Sequence, residues 1–119
     1  MSSRFVVQEH TTTDGVHWDL MLERGEVLET FRLEQPPEAA STGTIRATRI
    51  FGHPLRFLTY EGPVQKGTGR VKIADRGTCD VSHGENVISL KLRGEVLQGG
   101  FTLSRMEGAS WLLARENLE

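Results

Sequence analysis

A single cysteine, Cys79, stands in 119 residues, which excludes an intramolecular disulfide and suits a reducing compartment. Its first reading is as a small packing residue rather than a nucleophile. No apolar run approaches the roughly 20 residues of a membrane-spanning helix, and no basic, apolar leader opens the chain. A soluble, cytoplasmic protein without membrane contact is expected. An excess of positive charge is missing too: 14 lysines and arginines face 16 acidic residues, a net charge of −2, which argues against a general nucleic-acid coat. Repeats, low-complexity tracts and linkers are absent and helical periodicity is scarce. One domain over 1–119, a monomer large enough to bury a core without staples, is expected.

What is present is a series of short alternating runs bounded by Gly, Pro and Asp. They predict strands at Arg4 to His10, His17 to Glu23, Val27 to Leu33, Thr44 to Phe51, Phe57 to Glu61, Arg70 to Arg76, Val87 to Leu92, Gly99 to Ser104 and Trp111 to Arg115. Pro36 to Gly43 reads as a loop. Nine short strands in a chain of this size make an all-β fold. A small closed or nearly closed antiparallel barrel, which hides its edges, is favoured over a two-sheet β-sandwich. Phe5, Val7, Trp18, Leu20, Leu22, Leu28, Ile45, Ile73, Leu90, Leu92, Phe101, Leu103 and Leu112 are the interior candidates.

The densest chemistry lies in His10 to Glu23, HTTTDGVHWDLMLE. Asp14-Gly15 supplies the positive φ angles of a two-residue hairpin, and if that pair is the loop, His10 lands opposite Asp19. Alternation then puts Gln8, His10, His17, Asp19 and Met21 on one face, with Trp18, Leu20 and Leu22 on the other. Facing Cβ atoms are about 5 Å apart and diagonal ones about 7 to 8 Å, so two imidazoles and a carboxylate converge closely enough for one divalent ion. Open positions would remain for water or substrate. Ligand type alone leaves zinc and manganese equal, and a solvated, mutually hydrogen-bonded trio is the plainer alternative.

Charge is unevenly spread. Residues 44–76 carry seven basic and two acidic side chains, while residues 1–43 carry three and eight. Arg46, Arg49, Arg56, Lys66, Arg70, Lys72 and Arg76 therefore form either a phosphate-facing patch or an ordinary solvated set. His53, held extended by Pro54, suits hydrogen bonding to a phosphate oxygen or protonation of a leaving group, with an idle turn histidine as the alternative. Gly62 to Gly69, GPVQKGTG, lacks the Gly-Lys-Ser/Thr end of a nucleotide-binding loop. Asp75-Arg76-Gly77-Thr78 reads as a turn, and His83 receives no role.

Phe5-Val6-Val7-Gln8-Glu9-His10, His17-Trp18-Asp19-Leu20-Met21-Leu22-Glu23, His53-Pro54-Leu55, Tyr60-Glu61-Gly62, Asp75-Arg76-Gly77-Thr78 and Trp111-Leu112-Leu113 together resemble, in order and approximate spacing, the 3′-phosphoesterase domain of bacterial DNA ligase D. The resemblance implies a small β-barrel enzyme of DNA end repair. It would use manganese to remove a 3′-terminal ribonucleoside and then the remaining 3′-phosphate. It implies metal ligands at His10, His17 and Asp19, a histidine on the scissile phosphate at His53, and a polar site residue at Gln8. The partners it implies are DNA or RNA 3′ ends and, for a stand-alone chain, separate ligase and polymerase proteins.

Four positions depart from that pattern. The arginine of the family's His-x-Asp-x-Arg is Met21, its tyrosine after His-Pro-Leu is Phe57, the lysine of its Val-Pro-Lys-Gly loop is Gln35, and an acidic residue before the histidine is Phe51. Metal ligands survive and phosphate ligands are thinned. The favoured expectation is a phosphoesterase in which Arg46, Arg49, Lys66 or Arg76 replaces the lost cation. The alternative is a catalytically weak metal- and DNA-end-binding module.

Overall fold

The computed structural model describes residues 2–64 and 69–116. Among the described residues nine strands run in chain order: β1 (Ser3–Thr12), β2 (Gly15–Arg24), β3 (Val27–Leu33), β4 (Ile45–Pro54), β5 (Gly62–Val64), β6 (Gly69–His83), β7 (Val87–Arg93), β8 (Gln98–Glu107) and β9 (Ser110–Arg115). All pairings are antiparallel, in the order β1-β2-β3-β4-β9-β8-β7-β6, and β6 returns to β1 to close an eight-stranded barrel. The short β5 lies outside the ring, paired to the start of β6. The closed barrel is the fold that the alternating runs predict, and the sandwich is set aside.

Inward-facing alternation fills the barrel. Phe5, Leu20, Leu22, Phe31, Phe101 and Leu103 are each at most 1% exposed, and Phe31 meets Trp111 edge-on with ring centroids 5.4 Å apart. Among the expected interior residues Leu112 is out of phase by one: Trp111 and Leu113 are the buried neighbours in β9. Trp18 is only partly buried against the interior. Leu28 and Ile73 belong instead to a second apolar cluster, with Val6, Met21 and Leu58, separate from the main one.

Two stretches differ from their reading in the sequence. Phe57 to Glu61 is not a strand: a 3₁₀ turn covers Leu55–Leu58, and β5 follows at Gly62. Leu55, Phe57 and Leu58 all pack on the second cluster, and a strand would send Phe57 and Leu58 to opposite sides. Asp75 to Thr78 is not a turn but the middle of β6. Ala74 forms a bulge there, since Val7 pairs with Asp75 while Gln8 pairs with Ile73. The bulge flips the phase of β6, so Val71 and Ile73 share the face of Gln8 and His10, whereas Asp75 and Cys79 turn inward. Buried Asp75 accepts the backbone N–H groups of Glu95, Val96 and Leu97 at 2.8, 3.1 and 2.8 Å. A Cβ on Gly77 would lie 2.0 Å from the Arg93 carbonyl oxygen. Asp-x-Gly here serves a close crossing of backbones. Pro36 to Gly43 is a connection as read, containing a 3₁₀ turn at Pro37–Ser41.

Candidate metal and phosphate site

The β1–β2 hairpin turns one residue earlier than Asp14-Gly15 suggests. Thr13 and Asp14 form the loop, Thr12 pairs with Gly15, His10 with His17 and Gln8 with Asp19. The Thr12 hydroxyl accepts the Asp14 N–H at 3.1 Å, and Gly15, at φ +134°, takes the backbone angle that L side chains rarely adopt. The predicted pairing of His10 with Asp19 is therefore corrected. The change slides partners by two positions, which preserves the faces, so Gln8, His10, His17, Asp19 and Met21 still share one side.

On that outer face the ligand atoms of His10, His17 and Asp19 all lie within 4.8 Å of one another. His10 Nδ1 is 3.0 Å from His17 Nε2, which is 3.6 Å from Asp19 Oδ2. Burial pushes both imidazoles below the ordinary histidine range; the Asp19 carboxylate opposes that shift and the Arg32 charge adds to it. Neutral rings present lone pairs, the form in which histidine binds metal. Two imidazole nitrogens and a carboxylate oxygen in this arrangement fit a divalent transition-metal ion with positions left open. His10 Nε2 is buried without a hydrogen-bond partner among the described residues.

Arg32 holds the carboxylate in place. The β2–β3 hairpin sets Asp19 opposite Arg32, and Arg32 Nε–H donates to Asp19 Oδ1 at 3.2 Å, leaving Oδ2 toward the histidines. His53, near the end of β4, completes the group. The Thr30 hydroxyl donates to the Leu28 carbonyl at 3.0 Å, so its oxygen accepts His53 Nδ1–H at 2.9 Å, and Nε2 carries the lone pair of the neutral ring. Burial also lowers the His53 pKa, against the pull of Asp19 and a hydrogen bond to the Phe51 backbone. Phe51, 73% exposed, stacks on the His53 ring at 4.9 Å.

These residues line a cavity of about 480 Å³ under the second 3₁₀ turn, whose wall includes Gln8, His10, Asp19, Arg32, His53, Arg56 and Phe57. Gln8 braces the roof, its amide donating to the Phe57 and Tyr60 carbonyls at 3.0 and 3.1 Å. Met21 is 1% exposed and packs in the second apolar cluster. Of the cations expected at phosphate, Arg46, Arg49 and Arg76 are not among the lining residues, and Lys66 lies outside the described residues. Arg49 pairs with buried Glu29 at 3.1 Å, beside a different depression that also holds His83.

Arg32 has no place in the reading of the sequence, although its signal is there. Counting back from a hairpin at Gly25-Glu26 sets Arg32 against Asp19. It was hidden because it lies in the acidic first third, away from the basic stretch.

A family model for the DNA ligase D 3′-phosphoesterase domain matches residues 8–105. The chain is 31% identical over 132 residues to the multifunctional non-homologous end joining protein LigD of Mycolicibacterium smegmatis, covering 96% of this chain and 17% of that protein. It is 34% identical over 121 residues to the protein of the same name from Mycobacterium bovis, covering 93% and 16%. The chain thus spans about a sixth of the length of these curated relatives.

Proposed function

We propose that this chain, which belongs to the DNA ligase D 3′-phosphoesterase domain family, is a metal-dependent phosphoesterase that processes nucleic-acid 3′ ends in DNA end joining. The observation that carries this reading is the convergence of His10, His17 and Asp19 within 4.8 Å of one another, with His10 and Asp19 on the wall of an open cavity. His10, His17 and Asp19 would hold the ion, manganese by family resemblance and zinc by ligand type as the other choice. When bound, such an ion would supply Lewis acidity toward a phosphoryl oxygen and toward water.

The chain's own groups do the rest. His53 Nε2 accepts a proton from the attacking water, or, once protonated, gives one to the leaving oxygen or donates a hydrogen bond to a phosphoryl oxygen. Gln8 positions the roof over the site. Arg32 fixes which Asp19 oxygen faces the histidines.

A second reading, an end-binding module with little turnover, is favoured by one observation: apolar Met21 is packed away where the family pattern has arginine. A recessed DNA primer ending in a 3′-phosphate or a single ribonucleotide, incubated with manganese, separates the two. Conversion to a 3′-hydroxyl end that is absent from a His17→Ala control supports the enzyme. Binding without conversion moves the chain to the second reading, and neither binding nor conversion sinks both.

A further inference from the structure

We propose that Arg32 is the residue that grips the substrate's terminal phosphate, doing from β3 what an arginine at position 21 would do from β2. The proposal rests on the phosphoesterase reading of the same cavity. A phosphoryl group gathering charge needs a cation or strong donors close by, and Met21 offers neither. Two guanidinium groups line the cavity among the described residues, those of Arg32 and Arg56. Arg56 is exposed and its guanidinium lies over the Phe57 ring at 5.0 Å, whereas Arg32 sits directly across the strand pair from a metal-ligand candidate.

The way Arg32 is held is what suits it to an anion. The only protein hydrogen bond of its side chain among the described residues is made by Nε, to Asp19 Oδ1. The two terminal nitrogens have no protein acceptor there, and the side chain is 40% exposed. Arg4, by contrast, spends Nε and Nη2 on Glu23, and Arg93 spends Nε and Nη1 on Thr78 and Asp80; Arg105 is likewise anchored by Nε, to the Gly108 carbonyl, but does not line the cavity. An arginine anchored at Nε presents the paired N–H bonds of its far edge in a fixed plane, the geometry that receives two phosphate oxygens together. Asp19 therefore bridges the two halves of the site, one oxygen toward the histidines and the other on Arg32. His10, Asp19 and Arg32 line one cavity, which puts a phosphate bound there beside both halves. The arginine belongs to the acidic third of the chain, so this cation sits in a locally acidic part of the sequence.

The test compares Arg32→Ala and Arg32→Lys with the unaltered chain, and uses exposed Lys91→Ala, away from the cavity, as a control expected to match it. Three quantities are read: Mn²⁺ affinity by calorimetry, affinity for a primer ending in 3′-phosphate against one ending in 3′-hydroxyl in metal-free buffer, and turnover at saturating Mn²⁺. In Arg32→Ala the preference for the 3′-phosphate end should fall by roughly tenfold or more. Turnover should fall by about 100-fold and should not return at saturating metal. Arg32→Lys should recover part of both, and added guanidinium ion should partly rescue Arg32→Ala. If Arg32→Ala weakens only Mn²⁺ binding and regains full turnover when metal is saturating, Arg32 merely orients Asp19 and the proposal is overturned. If the unaltered chain turns nothing over but prefers 3′-phosphate ends through Arg32, the clamp stands and the enzyme reading fails. No preference for phosphate in the unaltered chain overturns the clamp.

Discussion

His10, His17 and His53 are each held by burial below their ordinary value of 6.5. The unfolded chain therefore takes up protons near 6.5 while the folded chain resists them to lower pH. Between those two values the unfolded state binds more protons, so stability rises with pH. The contribution is complete above 6.5, falls away as pH drops below it, and levels off beneath the folded-state values. In metal-free buffer, urea midpoints should decline from pH 7.5 toward pH 5, and the decline should be shallower in His10→Gln and His53→Gln. Equal slopes in all three proteins would remove these imidazoles as the cause. At this scale the sequence was readable where residue type and spacing were both diagnostic, as in His10, His17, Asp19 and His53. Arg32 was not, because a charge count by thirds describes its neighbours in sequence and its task is set by the neighbour across the strand.

At the scale of the element, β6 carries the least expected feature, a 15-residue strand whose bulge at Ala74 lets it serve the barrel wall on one stretch and the cavity on another. Asp75 anchors the crossing. Replacing it with alanine would strand the buried N–H of Leu97 and the part-buried N–H groups of Glu95 and Val96, each unpaired donor costing about 1 kcal/mol or more. Asp75→Ala should therefore lose about 3 kcal/mol or more in urea unfolding, and a loss below about 1 kcal/mol would show that water replaces the carboxylate. Alternation located eight of the nine strands, since inside-outside patterning is strong in a closed barrel. It failed at Leu55–Leu58, where an apolar run belongs to a roof rather than a wall, and at Asp75-Arg76-Gly77, where turn chemistry serves a tertiary crossing.

For the whole molecule, the two sides of the same strands do different work. Phe5, Leu20 and Phe101 fill the inside, while His10, His17 and Asp19 sit on the outside. Removing a metal-ligand candidate should therefore cost little folding stability, whereas emptying an interior ring position should cost about 3–5 kcal/mol. Metal-free thermal melts check this: His17→Ala should stay within a few degrees of the unaltered chain and Phe101→Ala should fall well below it. Comparable losses would mean that the outer face also holds the barrel together.

The shared strands have a consequence for how faithfully the site is made. A hairpin slip of one residue would point Leu20 and Leu22 at water and push His17 and Asp19 into the apolar interior, where neither has a partner. Every odd misregister is penalised twice, once for each side. The barrel interior thus acts as a proofreader for the outer face, rejecting misfolded copies of the site without contributing an atom to it.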